Sequence, residues 1–219
     1  MKKALLLILL FITACTLAST EVSVLDESSC KPPCWNGITP GETSYSQASQ
    51  VVKSLDELDS ENVADINLPW KIFDKRIWFY LYKDSSQVKV QTDGAIYFLD
   101  DKVIALLLQR NIGKTFSEMI EIVGEPEVII SMPFVGGGPV VMAINASEGI
   151  MFEFYADSDR LQPETEIDNV MFFDNTHYEE LLDAEMFSLG SYDAKETRKI
   201  MYPWKGYGKI DELYPSRFP

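Results

Sequence analysis

Two helical periodicities, each followed by a series of strand-like runs, organise this chain. Behind Ser44 the apolar positions Tyr45, Ala48, Val51, Val52, Leu55 and Leu58 recur at helical spacing, and behind Thr115 Phe116, Met119, Ile120 and Val123 do the same. Each run opens on a capping box, Ser44 with Gln47 and Thr115 with Glu118, in which the first hydroxyl and the fourth side chain satisfy each other's backbone N–H. Gly124 and Pro126 stop the second helix. After the first helix, β-branched and aromatic runs predict strands over 76–83, 87–92, 95–99 and 103–108; after the second, over 127–134, 140–145, 149–155 and 170–173. Asp93-Gly94 and Glu148-Gly149 are read as turns at corresponding places. A third box, Thr176 to Glu179, precedes Leu181 and Leu182, and the aromatic end Pro203 to Gly208 is expected to pack over the sheet without a regular period. Helix-then-strands order disfavours a parallel sheet. The class predicted is α+β, built as two tandem helix-plus-antiparallel-sheet repeats over 30–109 and 110–174, with a C-terminal extension over 175–219.

The N-terminus follows a different plan. Lys2 and Lys3 precede an unbroken apolar stretch from Ala4 to Ile12 and the small residues Thr13 and Ala14, the layout of a secretory signal peptide. The apolar run falls well short of the roughly 20 residues that span a bilayer. Leu9-Leu10-Phe11-Ile12-Thr13-Ala14-Cys15 resembles a bacterial lipobox. That resemblance implies removal of residues 1–14, a diacylglycerol on the Cys15 thiol, and a protein held on the outer face of a bacterial membrane. An ordinary signal peptide cut after Ala18, with Thr16 at the −3 position, stays open and would release the chain. Residues 15–29 read as a tether.

Charge and cysteine usage narrow the picture. The net charge is −15, and loss of residues 1–14 leaves 17 basic and 34 acidic residues, a net charge of −17. Such acidity argues against nucleic acid and against adsorption of the body on anionic headgroups, so any anchoring falls to lipid. With Cys15 lipidated, Cys30 and Cys34 remain as an even pair outside the cytoplasm, where disulfides persist. A Cys30–Cys34 bridge is expected; its loop is small, so its main effect is to fix the entry of the chain into the fold.

The segment Gly113-Lys114-Thr115-Phe116-Ser117-Glu118-Met119-Ile120-Glu121-Ile122-Val123-Gly124-Glu125-Pro126 is similar to the one that opens modules of the β-lactamase-inhibitor-protein-like class, shared with the BamE/SmpA outer-membrane-assembly lipoproteins. The resemblance covers about 14 residues and implies small α+β units with helices on an antiparallel sheet. The first copy lacks the closing Gly-x-Pro. Pro33-Cys34-Trp35-Asn36-Gly37-Ile38-Thr39-Pro40-Gly41 resembles the opening of a group of bacterial lipoproteins to which no activity is attached. Neither resemblance transfers a partner-contacting residue.

Catalytic chemistry is sparse. Gly113-Lys114-Thr115 lacks the upstream glycine of a P-loop, since Leu108 stands there. Gly136 to Gly138 lies between two strands, where a hairpin turn is expected rather than a nucleotide loop. His177 is the lone histidine, so any Ser-His-Asp or Cys-His mechanism must use it, and its place in a capping box puts it on the surface. Asp157-Ser158-Asp159 lacks a third calcium ligand, Leu161 standing in that position. Asn145-Ala146-Ser147 is a glycosylation sequon. Trp35, Trp70, Trp78 and Trp204 could form a sugar platform, and a carboxylate-only hydrolase needs only two facing acids. No catalytic, cofactor-binding or metal residue is nominated. The expected function is a non-enzymatic, lipid-anchored envelope module that binds a protein partner, with a glycan or peptidoglycan module, or a carboxylate-only hydrolase, as alternatives.

Overall fold

The structure, a computed structural model, describes residues 23–26, 28–56, 58, 63–66, 72–85, 88–110, 112–133, 138–156, 158–187 and 193–216. Nine strands form one antiparallel sheet. In chain order these are β1 (Ala64–Ile66), β2 (Lys75–Ser85), β3 (Val88–Leu99), β4 (Lys102–Gln109), β5 (Val128–Met132), β6 (Val140–Asn145), β7 (Ile150–Tyr155), β9 (Asn169–Phe173) and β10 (Met201–Pro203). Their order across the sheet is β1-β2-β3-β4-β9-β7-β6-β5-β10. The short strands β8 (Arg160–Leu161) and β11 (Gly208–Lys209) pair separately. The class is α+β, and the strands that follow the two predicted helices are continuous across the β4–β9 pair.

Helix α1 (Tyr45–Lys53) and helix α2 (Phe116–Val123) both begin on the expected capping boxes, Ser44 with Gln47 and Thr115 with Glu118. Both lie on one face of the sheet. Tyr45 meets Phe98 of β3 edge-on at 5.1 Å, and Phe116 meets Phe152 and Phe154 of β7 at 5.0 and 5.7 Å. Trp35 and Ile38 join this face fully buried, with Trp35 stacked 5.7 Å from Phe79. The opposite face buries a second cluster in which Met132, Met142, Met171 and Phe173 pack with Leu181, Leu182 and Phe187. These last three belong to helix α3 (Tyr178–Asp183) and the turn after it, so the C-terminal extension supplies a third layer. Burial on both faces explains why β4, β6 and β9 read as continuous apolar runs rather than alternations.

The fold departs from the sequence reading at several points. Asp93-Gly94 is not a turn: β3 runs unbroken from Val88 to Leu99. A Cβ at Gly94 would lie 2.1 Å from Cζ of Phe79 in the paired strand, so the glycine makes room for a ring, not for a bend. Glu148-Gly149 does form a turn, between β6 and β7. The third capping box does not form. Asp174 caps instead, accepting from the Thr176 N–H at the start of a 3₁₀ turn, Asn175–His177. The aromatic end includes β10, which extends the sheet beyond β5. It is followed by Trp204, stacked on Phe116 at 5.3 Å. Helices α4 (Ala194–Lys199) and α5 (Ile210–Leu213) were not anticipated.

The tether expected over 15–29 is shortened. Ser23 is fully buried and Leu25 nearly so; the Ser23 hydroxyl donates to the Ile112 carbonyl, and Lys114 Nζ lies 2.8 Å from Asp26 Oδ2. The folded body therefore begins by Ser23.

Candidate functional site

The face opposite α1 and α2 carries one row of polar side chains that crosses five strands. Pairing aligns Tyr80 of β2 with Asp93 of β3, Asp93 with Gln109 of β4, Gln109 with Asn169 of β9, and Asn169 with Glu153 of β7. Directly paired residues share a face, so the row is contiguous. Asp93, Asn169 and Glu153 are buried. Asn169 Nδ2 donates to Glu153 Oε1 at 2.5 Å, and Arg110 Nε lies 3.5 Å from Asp93 Oδ2. Tyr155 follows on the same face as Glu153, and its backbone N–H donates to Asp168 Oδ2 at 2.7 Å.

Burial pushes the Glu153 carboxyl up to about 7. Hydrogen bonds from Asn169 and Tyr155 oppose the shift, and the Asp168 charge adds to it. Burial, then the Glu153 and Asp168 charges, raise the Tyr155 phenol as well. Glu153 is 1 % exposed and holds an amide partner, so no substrate-sized group reaches it. The row crosses the β4–β9 pair at Gln109 and Asn169, and the Asn169–Glu153 contact ties β9 to β7, where a one-residue slip would break it. No sequence signal singled it out, because Glu153 and Asn169 are isolated polar residues inside apolar strands.

The residues nominated from sequence do not converge. Cys30 and Cys34 are bonded to each other, with Cα atoms 5.7 Å apart. The bridge sits in the loop that delivers Trp35 and Ile38 to the core, and the Ser28 hydroxyl accepts the Asn36 N–H beside it. Cys15 and residues 1–14 lie outside the described residues, as do Trp70, Gly136, Gly137 and Asp157. His177 Nδ1 is 2.9 Å from Asp174 Oδ2 and beside the Thr176 hydroxyl, within the 3₁₀ turn. Trp35 is on the α1 face and Trp204 is stacked between Phe116 and Tyr214. Trp78 is on the opposite face beneath the Arg76 guanidinium at 5.4 Å. The described tryptophans form no common platform. Asn145 spends its side chain holding the Val123 carbonyl at 2.9 Å.

A cavity of about 310 Å³ opens at the start of α2, between Gly113, Lys114, Thr115, Glu118, Glu166 and Asp168. Lys114 there is paired with Asp26, and Glu118 is occupied by the capping box, whose N–H and hydroxyl bonds hold its carboxyl below the usual range. Among the described residues no group of three His, Cys, Asp or Glu side chains could hold a metal ion, and no helix is long and apolar enough to cross a membrane. No protein-family model matches the chain, and neither a curated protein nor a solved structure matches it.

Proposed function

We propose that the chain is a lipid-anchored cell-envelope protein, and that its body is a tandem pair of helix-plus-four-strand units serving as a non-enzymatic protein-binding module. The observation that carries this reading is a residue-level correspondence between the halves. Ser44, the cap of α1, bridges to Lys102 at the start of β4; Thr115, the cap of α2, bridges to Glu166 just before β9. The Val103 N–H donates to the Thr43 carbonyl, and the Ile167 N–H donates to the Lys114 carbonyl. Tyr45 N–H reaches Asp101 O as Phe116 N–H reaches Thr165 O. Tyr45 packs on the third strand of its set and Phe116 on the third strand of its own. The strand order β1-β2-β3-β4 facing β9-β7-β6-β5 mirrors one set on the other. These correspondences support the resemblance to tandem inhibitor-like modules, which act by presenting a surface and not by bond chemistry. Trp35, Trp78 and Trp204 lie apart, which favours the protein-binding reading over a glycan platform.

The test is cross-linking in envelopes of the native host, followed by affinity capture of the tagged full-length protein and an intact-mass measurement. The expected result is a discrete cross-linked partner and a mature mass that starts at Cys15 with an acyl group and one disulfide. An acylated protein that captures nothing above control would overturn the partner-binding reading; an unacylated one cut after Ala18 would overturn the anchor.

A further inference from the structure

The two sulfurs of the Cys30–Cys34 bridge stand in different surroundings. The Ser28 hydroxyl oxygen accepts the Asn36 N–H at 2.9 Å and the Cys30 N–H at 3.4 Å. Its own hydrogen is left for Cys30 Sγ, 3.6 Å away, and a disulfide sulfur carries no proton, so the hydroxyl is the donor. The Gly37 N–H donates to the same sulfur at 3.3 Å. A tight turn aims that N–H. Trp35 and Ile38 exchange backbone bonds of 3.0 and 2.8 Å across Asn36 and Gly37, whose φ values are 49° and 83°. Asn-Gly is the pair such a turn favours. Among the described residues no hydrogen-bond donor reaches Cys34 Sγ.

Hydrogen bonds to a sulfur favour its thiolate, and the sulfur with the more stable thiolate leaves faster in thiol–disulfide exchange. Cys30 is therefore the better leaving group. The bridge closes so small a ring that it adds little stability by chain entropy. The loop also has holds of its own. The Cys34 N–H donates to the Lys31 carbonyl at 3.0 Å, and Trp35 and Ile38 are fully buried, Trp35 stacked on Phe79. Opening the bridge thus leaves the core in place. The loop is reachable: Ser29, Lys31 and Gly37 are exposed and both cysteines are half-buried. A Cβ at Gly37 would meet nothing within 4 Å, so the space beside the donor is open.

We infer that this bridge is a thiol–disulfide exchange site for a dithiol protein, attacked at Cys34 and opened at Cys30. A thiolate of the dithiol attacks Cys34 Sγ and forms a mixed disulfide. The Cys30–Cys34 bond breaks, and its electron pair leaves on Cys30 Sγ, where the Ser28 hydroxyl and the Gly37 N–H receive the charge. The second thiol of the dithiol then attacks the mixed disulfide, and its proton passes to the departing Cys34 sulfur. The dithiol ends as a disulfide, two electrons having moved to this chain, which holds a Cys30 thiolate and a Cys34 thiol. Neither the lipid anchor nor the partner proposed above takes part in the step.

The test mixes the oxidised full-length protein with a reduced thioredoxin whose resolving cysteine is serine, quenches with iodoacetamide and maps the mixed disulfide by mass spectrometry. Cys34 should carry the probe in excess of Cys30 by about tenfold or more. Reduction by intact thioredoxin should leave the far-ultraviolet circular dichroism unchanged. Alkylation rates of the single-thiol variants are then followed against pH. In Cys34→Ser the Cys30 thiol should titrate about one unit or more below the ordinary value of about 8.5, and adding Ser28→Ala should raise it. In Cys30→Ser the Cys34 thiol should show no such lowering. Probe trapped mainly on Cys30, or on neither cysteine, overturns the inference. So does equal titration of the two thiols, or a chain that unfolds when the bridge is reduced. The trapping measurement needs no variant of this chain, so it decides the matter even where a cysteine substitution fails to fold.

Discussion

At the scale of single residues, Glu153 makes stability depend on pH in an unusual direction. An acid whose folded pKa stands above its unfolded one binds more protons in the folded state, so it destabilises as pH rises. For Glu153 the loss begins near the ordinary value of 4.5 and is complete above about 7. The shift corresponds to a penalty on the order of 3 kcal/mol at neutral pH. Glu153→Gln keeps the Asn169 contact and removes the titration. Denaturant unfolding at pH 5 and pH 8 should show the variant losing less stability across that interval than the wild type; equal losses would mean Glu153 titrates normally. Gly94 gives a second residue-scale prediction. Because its missing Cβ is occupied by the Phe79 ring, Gly94→Ala should cost about 1–3 kcal/mol by overpacking. Phe79→Leu should cost less in the Gly94→Ala background than in the wild type, a coupling that a double-mutant cycle reads from urea midpoints.

At the scale of elements, local signals proved sufficient where local chemistry decides and insufficient where tertiary packing does. Both capping boxes formed as read, since each is closed by atoms three residues apart. Ser44→Ala and Thr115→Ala should each cost about 1 kcal/mol. They lie in different halves with no shared partner, so the double variant should lose the sum, as measured by chemical denaturation. Asp93-Gly94, by contrast, carries a turn signal that the ring of Phe79 overrides from a strand about 15 residues away. Thr176 to Glu179 carries a capping signal that Asp174 pre-empts by binding the Thr176 N–H first. Strands β2 and β3 were readable as strands but the extent of their pairing was not, because a strand's partners are a property of the sheet and not of its own pattern. The polar row was illegible for the same reason: Asp93, Gln109, Glu153 and Asn169 become neighbours only through register.

At the scale of the whole molecule, the β4–β9 pair decides how the chain unfolds. Five registered residues, Ala105 to Gln109 against Phe173 to Asn169, join the halves. Leu106 and Leu108 of one half share a buried cluster with Val170 and Phe172 of the other. Separating the halves would expose both strands' edges and the apolar cores beneath them, a state disfavoured by the burial it undoes and prone to aggregation. A chain built as two independent units would melt in two steps. This one should melt in one, with calorimetric and van't Hoff enthalpies equal. The seam can be weakened without cutting the chain. Leu108→Ala removes a buried β4 side chain from the cluster that also holds Val170 and Phe172 of β9, which should cost about 2–5 kcal/mol. If the seam carries the cooperativity, this variant should broaden or split the thermal transition, whereas the capping variants, which leave the seam intact, should shift the midpoint and keep a single transition. Two resolved transitions in the wild-type calorimetric scan would show that the halves are energetically separate despite their common sheet.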